Sequence, residues 1–158
     1  MNLSRIHSCR ALSSADLAAF RQLMRVFAEA FDDRATYEVA PPSDAYVAAL
    51  LAKPDYIVVA AFEGSKVVGG LTAYVLDKGE QERREIYIYD LAVAEDYRRQ
   101  GIATALIETL RDIALSRGAY VIFVQADLED APAIALYNSL GRQETAHHFD
   151  IAVRRPGR

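Results

Sequence analysis

Arg98-Arg99-Gln100-Gly101-Ile102-Ala103 is the stretch whose residue types and spacing suit the binding of an anion. Two arginines precede a glycine where a helix opens. The first amides of a helix have no internal partner, and they sit at the positive end of the helix dipole. Gly101 has no Cβ, so an anion can approach the backbone closely, and Ala103 keeps the second approach position small. This is a site for phosphates, a pyrophosphate before a lone sulfate. In isolation such a turn reads as a solvated cap with Gly101 as a turn residue. The strand before it and the amphipathic helix behind it decide for the anion site.

Acidic and hydroxyl side chains come next. Asp90 interrupts an otherwise apolar strand, and a buried acid is costly unless it is paired or used. An arginine partner would give it a structural role instead. Asp127 closes the following strand at the end where ligands gather, and reads equally as a loop or capping aspartate. Asp150, within His147-His148-Phe149-Asp150-Ile151, again puts an acid inside a strand-like run. Glu85 starts the central strand and can simply be solvated. Tyr137 lies on an amphipathic helix, where core tyrosines are common. His147 and His148 are adjacent, so on a strand they point to opposite faces and do not share a metal. There is no CxxC or HExxH cluster, and no metal is expected. The absence of G-x-x-x-x-G-K-[ST] and G-x-G-x-x-G argues against nucleotide hydrolysis and dinucleotide binding. Cys9 is the one cysteine, so no internal disulfide can form; it reads as a small buried hydrophobe.

The elements that position these groups follow from periodicity. Glu85 to Val93 is a β-branched, aromatic and apolar run of strand length. Ile102, Leu106, Leu110, Ile113 and Ala114 form one stripe of a helix over 101–117, with Gly118 at its C-cap. Ala119 to Ala126 is another strand, and strand, helix, strand make a crossover with the two strands parallel. Upstream, residues 4–11 are a first strand and Ser13-Ser14 offers an N-cap. A helical stripe of Leu17, Phe20, Leu23, Met24, Phe27 and Phe31 follows. Asp32 to Tyr37 and Pro41-Pro42 form a loop that cannot stay helical. Ser43-Asp44 caps a short helix with Tyr46, Val47, Leu50 and Leu51 inward. Tyr56–Phe62 and Val67–Leu76 make a hairpin, where Gly69-Gly70 marks a bulge or a close backbone approach. Asp77 to Arg84 is an exposed loop. Asp130 caps a last helix with Pro132 in its first turn, ended by Gly141. Residues 142–153 return as a final strand or hairpin partner, and 1–3 and 154–158 are frayed tails. The expected architecture is α+β, a mostly antiparallel sheet with one parallel βαβ crossover, in a single domain over 1–158.

Composition agrees with a globular chain of 158 residues, 52% apolar and 25% charged. Mean hydropathy is +0.01, and no apolar run approaches a bilayer span. The N-terminus lacks the apolar region of a signal peptide, which points to the cytoplasm and away from a membrane. A net charge of −4 argues against a nucleic-acid partner and suits a small cationic substrate.

The turn matches the Q/R-x-x-G-x-G/A signature of the GNAT superfamily of N-acetyltransferases, which binds the pyrophosphate of acetyl-coenzyme A. The wider run IYIYDLAV, RRQGIATALI, GAYVIFVQAD, ALYNSLG and HFDI resembles the aminoglycoside 3-N-acetyltransferases that modify gentamicin-type antibiotics. The likeness covers nearly the whole chain. It implies that the two parallel strands splay apart and admit the pantetheine arm. It implies coenzyme contacts at Leu91, Ala92, Val93, Arg98, Arg99, Gln100, Gly101, Ile102, Ala103, Thr104 and Asn138. Tyr137 would be the acid at the coenzyme sulfur, and a main-chain N–H near Val93 the oxyanion donor. Asp90, then Asp150, is the candidate base. Asp90, Asp127 and Asp150 would form an acidic acceptor pocket bordered by Glu85 and Tyr89. The implied activity is acetyl transfer to the 3-amino group of an aminoglycoside, conferring antibiotic resistance, in a homodimer. A polyamine, amino sugar or protein amine is the rival acceptor, and a non-catalytic acyl-coenzyme sensor the rival class.

Overall fold

The computed structural model describes residues 7–154. A five-stranded sheet in the order β1-β2-β3-β4-β5 is its frame. The strands are β1 (Ser8–Ala11), β2 (Tyr56–Glu63), β3 (Lys66–Asp77), β4 (Arg84–Val93) and β5 (Ala119–Val124). Neighbouring strands are antiparallel except β4 and β5, which are parallel. The helices are α1 (Leu17–Ala30), α2 (Arg34–Glu38), α3 (Asp44–Leu51), α4 (Ile102–Ser116) and α5 (Ala131–Leu140). The chain divides after Gln125 into two compact units, the first holding the sheet with α1–α4 and the second holding α5.

In β2, every residue from Tyr56 to Phe62 is buried, as expected of a strand covered on both faces. One face carries Tyr56, Val58, Ala60 and Phe62, which join Phe20, Leu23 and Phe27 of α1 and Val47 and Leu51 of α3 in one core. Gly70 makes this possible: a Cβ there would lie 2.5 Å from Leu23 Cδ1 and 2.8 Å from the Val59 carbonyl oxygen. Gly69-Gly70 is thus a close approach. On α4, Ile102, Leu106, Ile107, Leu110 and Ala114 are buried, and Gly118 adopts φ +70 just past the helix end. Leu71, Ala73, Ile86 and Ile88 alternate with the residues of the α1 face and are buried in turn.

Two irregularities in β4 shape the region around Asp90. Thr72 pairs with Asp90 and Ala73 with Ile88, so Tyr89 is an extra residue in the ladder. Strict alternation would put Asp90 on the face of Ile86 and Ile88; the bulge turns it to the α1 face. The second irregularity lies on the other edge. Pairing with β5 ends at Ile88 and Val124, while β4 runs on to Val93. The last residues of β4 therefore have no β5 partner, which is the splay the resemblance implies.

Several expectations need correction. The stretch after α1 is not a pure loop: Asp33 accepts from the Thr36 amide at 3.1 Å and caps α2. The N-cap of α1 is Asp16 rather than Ser13 or Ser14. Asp16 instead accepts from the Ser13 amide and from Arg10, which draws the loop tight before the helix. Tyr46 points outward and is 61% exposed, and Phe31 is exposed too, stacked on Phe27 at the end of the stripe. Residues 142–152 form no strand, and all of them are exposed. Alternating Phe149, Ile151 and Val153 set a face preference. A strand also needs a neighbour to close its hydrogen bonds, and none pairs with this segment among the described residues. Residues 1–6 and 155–158, with part of the first strand and most of both tails, lie outside the described residues.

Candidate functional site

The turn from Arg98 to Ala103 joins β4 to α4. A short 3-10 turn, Glu95–Tyr97, leads from β4 to Arg98. Arg99 then adopts φ +60, a left-handed conformation that costs a non-glycine residue of order 1 kcal/mol or more. Gly101, at φ +78, is the N-cap of α4 and offers no side chain to cap it. The amides of Ile102, Ala103 and Thr104 are left for an external acceptor. Nothing lies within 4 Å of where a Gly101 Cβ would sit, so the space before the turn is clear and the backbone angle alone demands glycine. Arg98 Nε donates to the Val93 carbonyl at 3.0 Å and ties the turn to the end of β4. Gln100 Nε2 donates to the Asp96 carbonyl at 3.3 Å. Uncapped amides that open a helix after two arginines in the chain suit a phosphate group.

The end of β4 supplies a second set of donors. The N–H and C=O of one residue point to the same edge of a strand, and successive residues alternate edges. The Ala94 amide donates to Val68 on β3 at 2.8 Å, so the Val93 and Leu91 peptide groups face the edge that β5 leaves unpaired. Ala92 and Val93 are buried and Leu91 half-buried. The Val93 N–H therefore lies on that unpaired edge.

Asp90 has no ion-pair partner among the described residues. Its carboxylate accepts from Tyr37 at 3.2 Å and from Thr72 at 3.1 Å. Burial raises its carboxyl above the ordinary range, and the two hydroxyl bonds hold that rise back. A half-buried acid held by neutral hydroxyls, with no arginine to silence it, can take a proton. Around it lies a feature that periodicity did not single out. Tyr56, Tyr74 and Tyr87 are cross-strand partners on β2, β3 and β4, and Phe123 on β5 continues the row. Tyr89 joins the row through the bulge. Alternation on each strand could have indicated separate tyrosines, but the row itself needs the register.

Glu85 is engaged elsewhere: it accepts from the Tyr120 hydroxyl and lies 3.7 Å from Lys78 Nζ. Five residues of strand put it roughly 16 Å from Asp90. In the second unit, Asp130 caps α5 through the Ala133 amide at 3.1 Å. Burial and the Asp130 charge push the Tyr137 hydroxyl up to about 12, so it keeps its proton at neutral pH. Asn138 donates to Gln143 at 3.2 Å. Asp127 and Asp150 are exposed, and Asp150 Oδ1 lies 3.0 Å from His148 Nε2 outside any strand. Among the described residues no group of three or more His, Cys, Asp or Glu is placed to hold a metal. Among the described residues no helix is long and apolar enough to cross a membrane.

A splayed parallel pair followed by an uncapped, arginine-flanked helix N-terminus defines the class of acyl-coenzyme-dependent N-acetyltransferases. The model of the acetyltransferase (GNAT) family matches residues 18–141, across both units, and the chain belongs to that family. A solved aminoglycoside acetyltransferase from an uncultured soil metagenomic sample is 53% identical, with a TM-score of 0.92, covering 94% of this chain and 99% of that one. A second such enzyme, solved with sisomicin, is 33% identical, with a TM-score of 0.87 and coverage of 94% and 97%. Among curated relatives, the ribosomal protein bS18-alanine N-acetyltransferase of Escherichia coli K12 is 37% identical over 81 residues, 51% of this chain and 50% of that protein. Human N-acetyltransferase 8 is 32% identical over 84 residues, 53% of this chain and 37% of that protein. The chain spans half or less of the length of these curated relatives.

Proposed function

We propose that this protein transfers acetyl from acetyl-coenzyme A to an aminoglycoside, at the 3-amino group of a gentamicin-like acceptor. The observation that carries the reading is the juxtaposition on one strand of Asp90 with the peptide groups of Leu91 and Val93 that β5 leaves unpaired. The two similar enzymes of aminoglycoside-acetylating type support the acceptor class.

In this reading the Ile102, Ala103 and Thr104 amides, with Arg98, Arg99 and Gln100, hold the pyrophosphate. Asp90 accepts a proton from the acceptor ammonium and leaves a neutral amine to attack the thioester carbonyl. As the C–N bond forms, the Val93 N–H donates to the oxyanion. Tyr137 donates its proton to the departing thiolate as the C–S bond breaks, the resulting phenolate takes up the proton that the acetylated nitrogen sheds, and Asp90 returns its proton to solvent. Asp127 and Asp150 would add negative charge to attract a polycation, with Asp150 as second candidate base. A homodimer, a cytoplasmic location and a role in resistance complete the proposal.

A thiol-release assay with acetyl-coenzyme A and either gentamicin or spermidine tests it. Release with gentamicin, and a product acetylated at the 3-amine, is expected. Release with spermidine alone would move the acceptor to polyamines. Coenzyme binding without transfer to any amine would make the protein a sensor.

A further inference from the structure

We propose that the tyrosine row beside Asp90 is the acceptor-binding wall, built to hold a saturated ring carrying ammonium groups by its aromatic faces; this deepens, and rests on, the functional reading above. The row is continuous. Tyr56 and Tyr74 lie 5.2 Å apart between ring centroids, Tyr74 and Tyr89 5.9 Å, Tyr89 and Tyr87 5.8 Å, and Tyr87 stacks on Phe123 at 4.8 Å. The hydroxyls of Tyr56, Tyr74 and Tyr87 feel the Asp90 charge, and Tyr46 acts on both Tyr56 and Tyr74.

Most of these rings are not core. Tyr74 is 40% exposed and Tyr89 63%, with Tyr46 on α3 61%, while Tyr56 is buried against Tyr74. Exposed aromatic rings grouped around a half-buried carboxylate match a cationic ligand, because the ring face carries the negative part of the quadrupole. The C–H faces of a saturated sugar ring also stack on such a surface. Chemistry gives a further reason. A second carboxylate beside the reacting amine would hold that amine in its charged, non-nucleophilic form. Ring faces attract the cation more weakly and leave Asp90 free to take the proton.

Isothermal titration calorimetry of gentamicin and of spermidine into wild type, Tyr74→Leu, Tyr89→Leu and the matching Phe variants tests the wall. Each Leu variant should bind about 2- to 5-fold more weakly, as the loss of one exposed cation–π contact implies, and each Phe variant within about 1.5-fold of wild type. Leu variants that bind as well as wild type overturn the wall and leave the proposed function standing. Phe variants as weak as Leu show that hydroxyls rather than ring faces bind, and also overturn it. If wild type binds spermidine, which has no ring, but not gentamicin, both the aminoglycoside reading and a wall built for a saturated ring fall. A wild type that binds neither compound overturns both.

Discussion

Thr72 and Asp90 face each other across β3 and β4, and the Thr72 hydroxyl donates to the Asp90 carboxylate at 3.1 Å. Were Tyr89 an ordinary paired residue, strand alternation would aim Asp90 to the face of Ile86 and Ile88. The bulge at Tyr89 thus keeps a carboxylate among tyrosines instead of in an apolar core.

Asp90→Asn should lower kcat for acetyl transfer by about 10²- to 10⁴-fold, the usual contribution of a general base. The wild-type kcat/KM should rise with pH through the raised Asp90 pKa, and that limb should vanish in the variant. Stability should move the opposite way. A folded pKa above 3.8 means that the Asp90 contribution is full below 3.8 and lost as pH rises through the folded value. The stability difference should therefore shift in favour of the Asp90→Asn variant as pH rises, read by denaturant titration at several pH values. Unchanged turnover across pH would remove Asp90 as base.

Gly101→Ala should raise KM for acetyl-coenzyme A severalfold. A Cβ at φ +78 strains the N-cap by about 1 kcal/mol even though the space is clear. Steady-state kinetics at saturating acceptor reads the effect. An unaltered KM would show that the turn does not need its left-handed cap for binding.

Tyr137→Phe should lower kcat at least tenfold and leave acetyl-coenzyme A binding near wild type, as calorimetry would show. Because the hydroxyl lies at about 12, no pH limb from Tyr137 should appear below about pH 10. Full activity in the variant would return Tyr137 to a packing role.

Gly70→Ala should destabilise the fold by roughly 1–3 kcal/mol, as overpacking does. The added methyl would meet Leu23, fully buried on α1, and the Val59 carbonyl on β2. A melting temperature equal to that of wild type would show that α1 can lift without cost.

Asp16→Ala should cost about 1 kcal/mol at neutral pH, after screening of its partly exposed pairing with Arg10. Arg10 and the Ser13 amide lower the Asp16 carboxyl from 3.8 to about 2. The contribution is full above about pH 4 and lost as pH falls through about 2, so the gap between wild type and variant should close over that window. A gap that persists at still lower pH would assign the effect to packing.

The chain by itself determined most of the elements, though not α2, and the arginine-glycine turn that opens α4. Apolar spacing on α1 and α4, β-branched runs in β2 to β5, and Gly101 after two arginines are local signals, each legible within a few residues of its own position. The crossover followed too, because strand, helix and strand in succession leave one handed solution. Tertiary structure decided the rest. The Tyr89 bulge, the end of β4–β5 pairing at Ile88 and the partners of Asp90 depend on register between strands distant in sequence. The same holds for the tyrosine row, whose members come from separate strands. Residues 142–152 show the converse: alternation gave them the look of a strand, but no ladder partner forms among the described residues. A sequence states which face a residue prefers; which residue stands opposite is settled only when the sheet assembles and its peptide groups find partners.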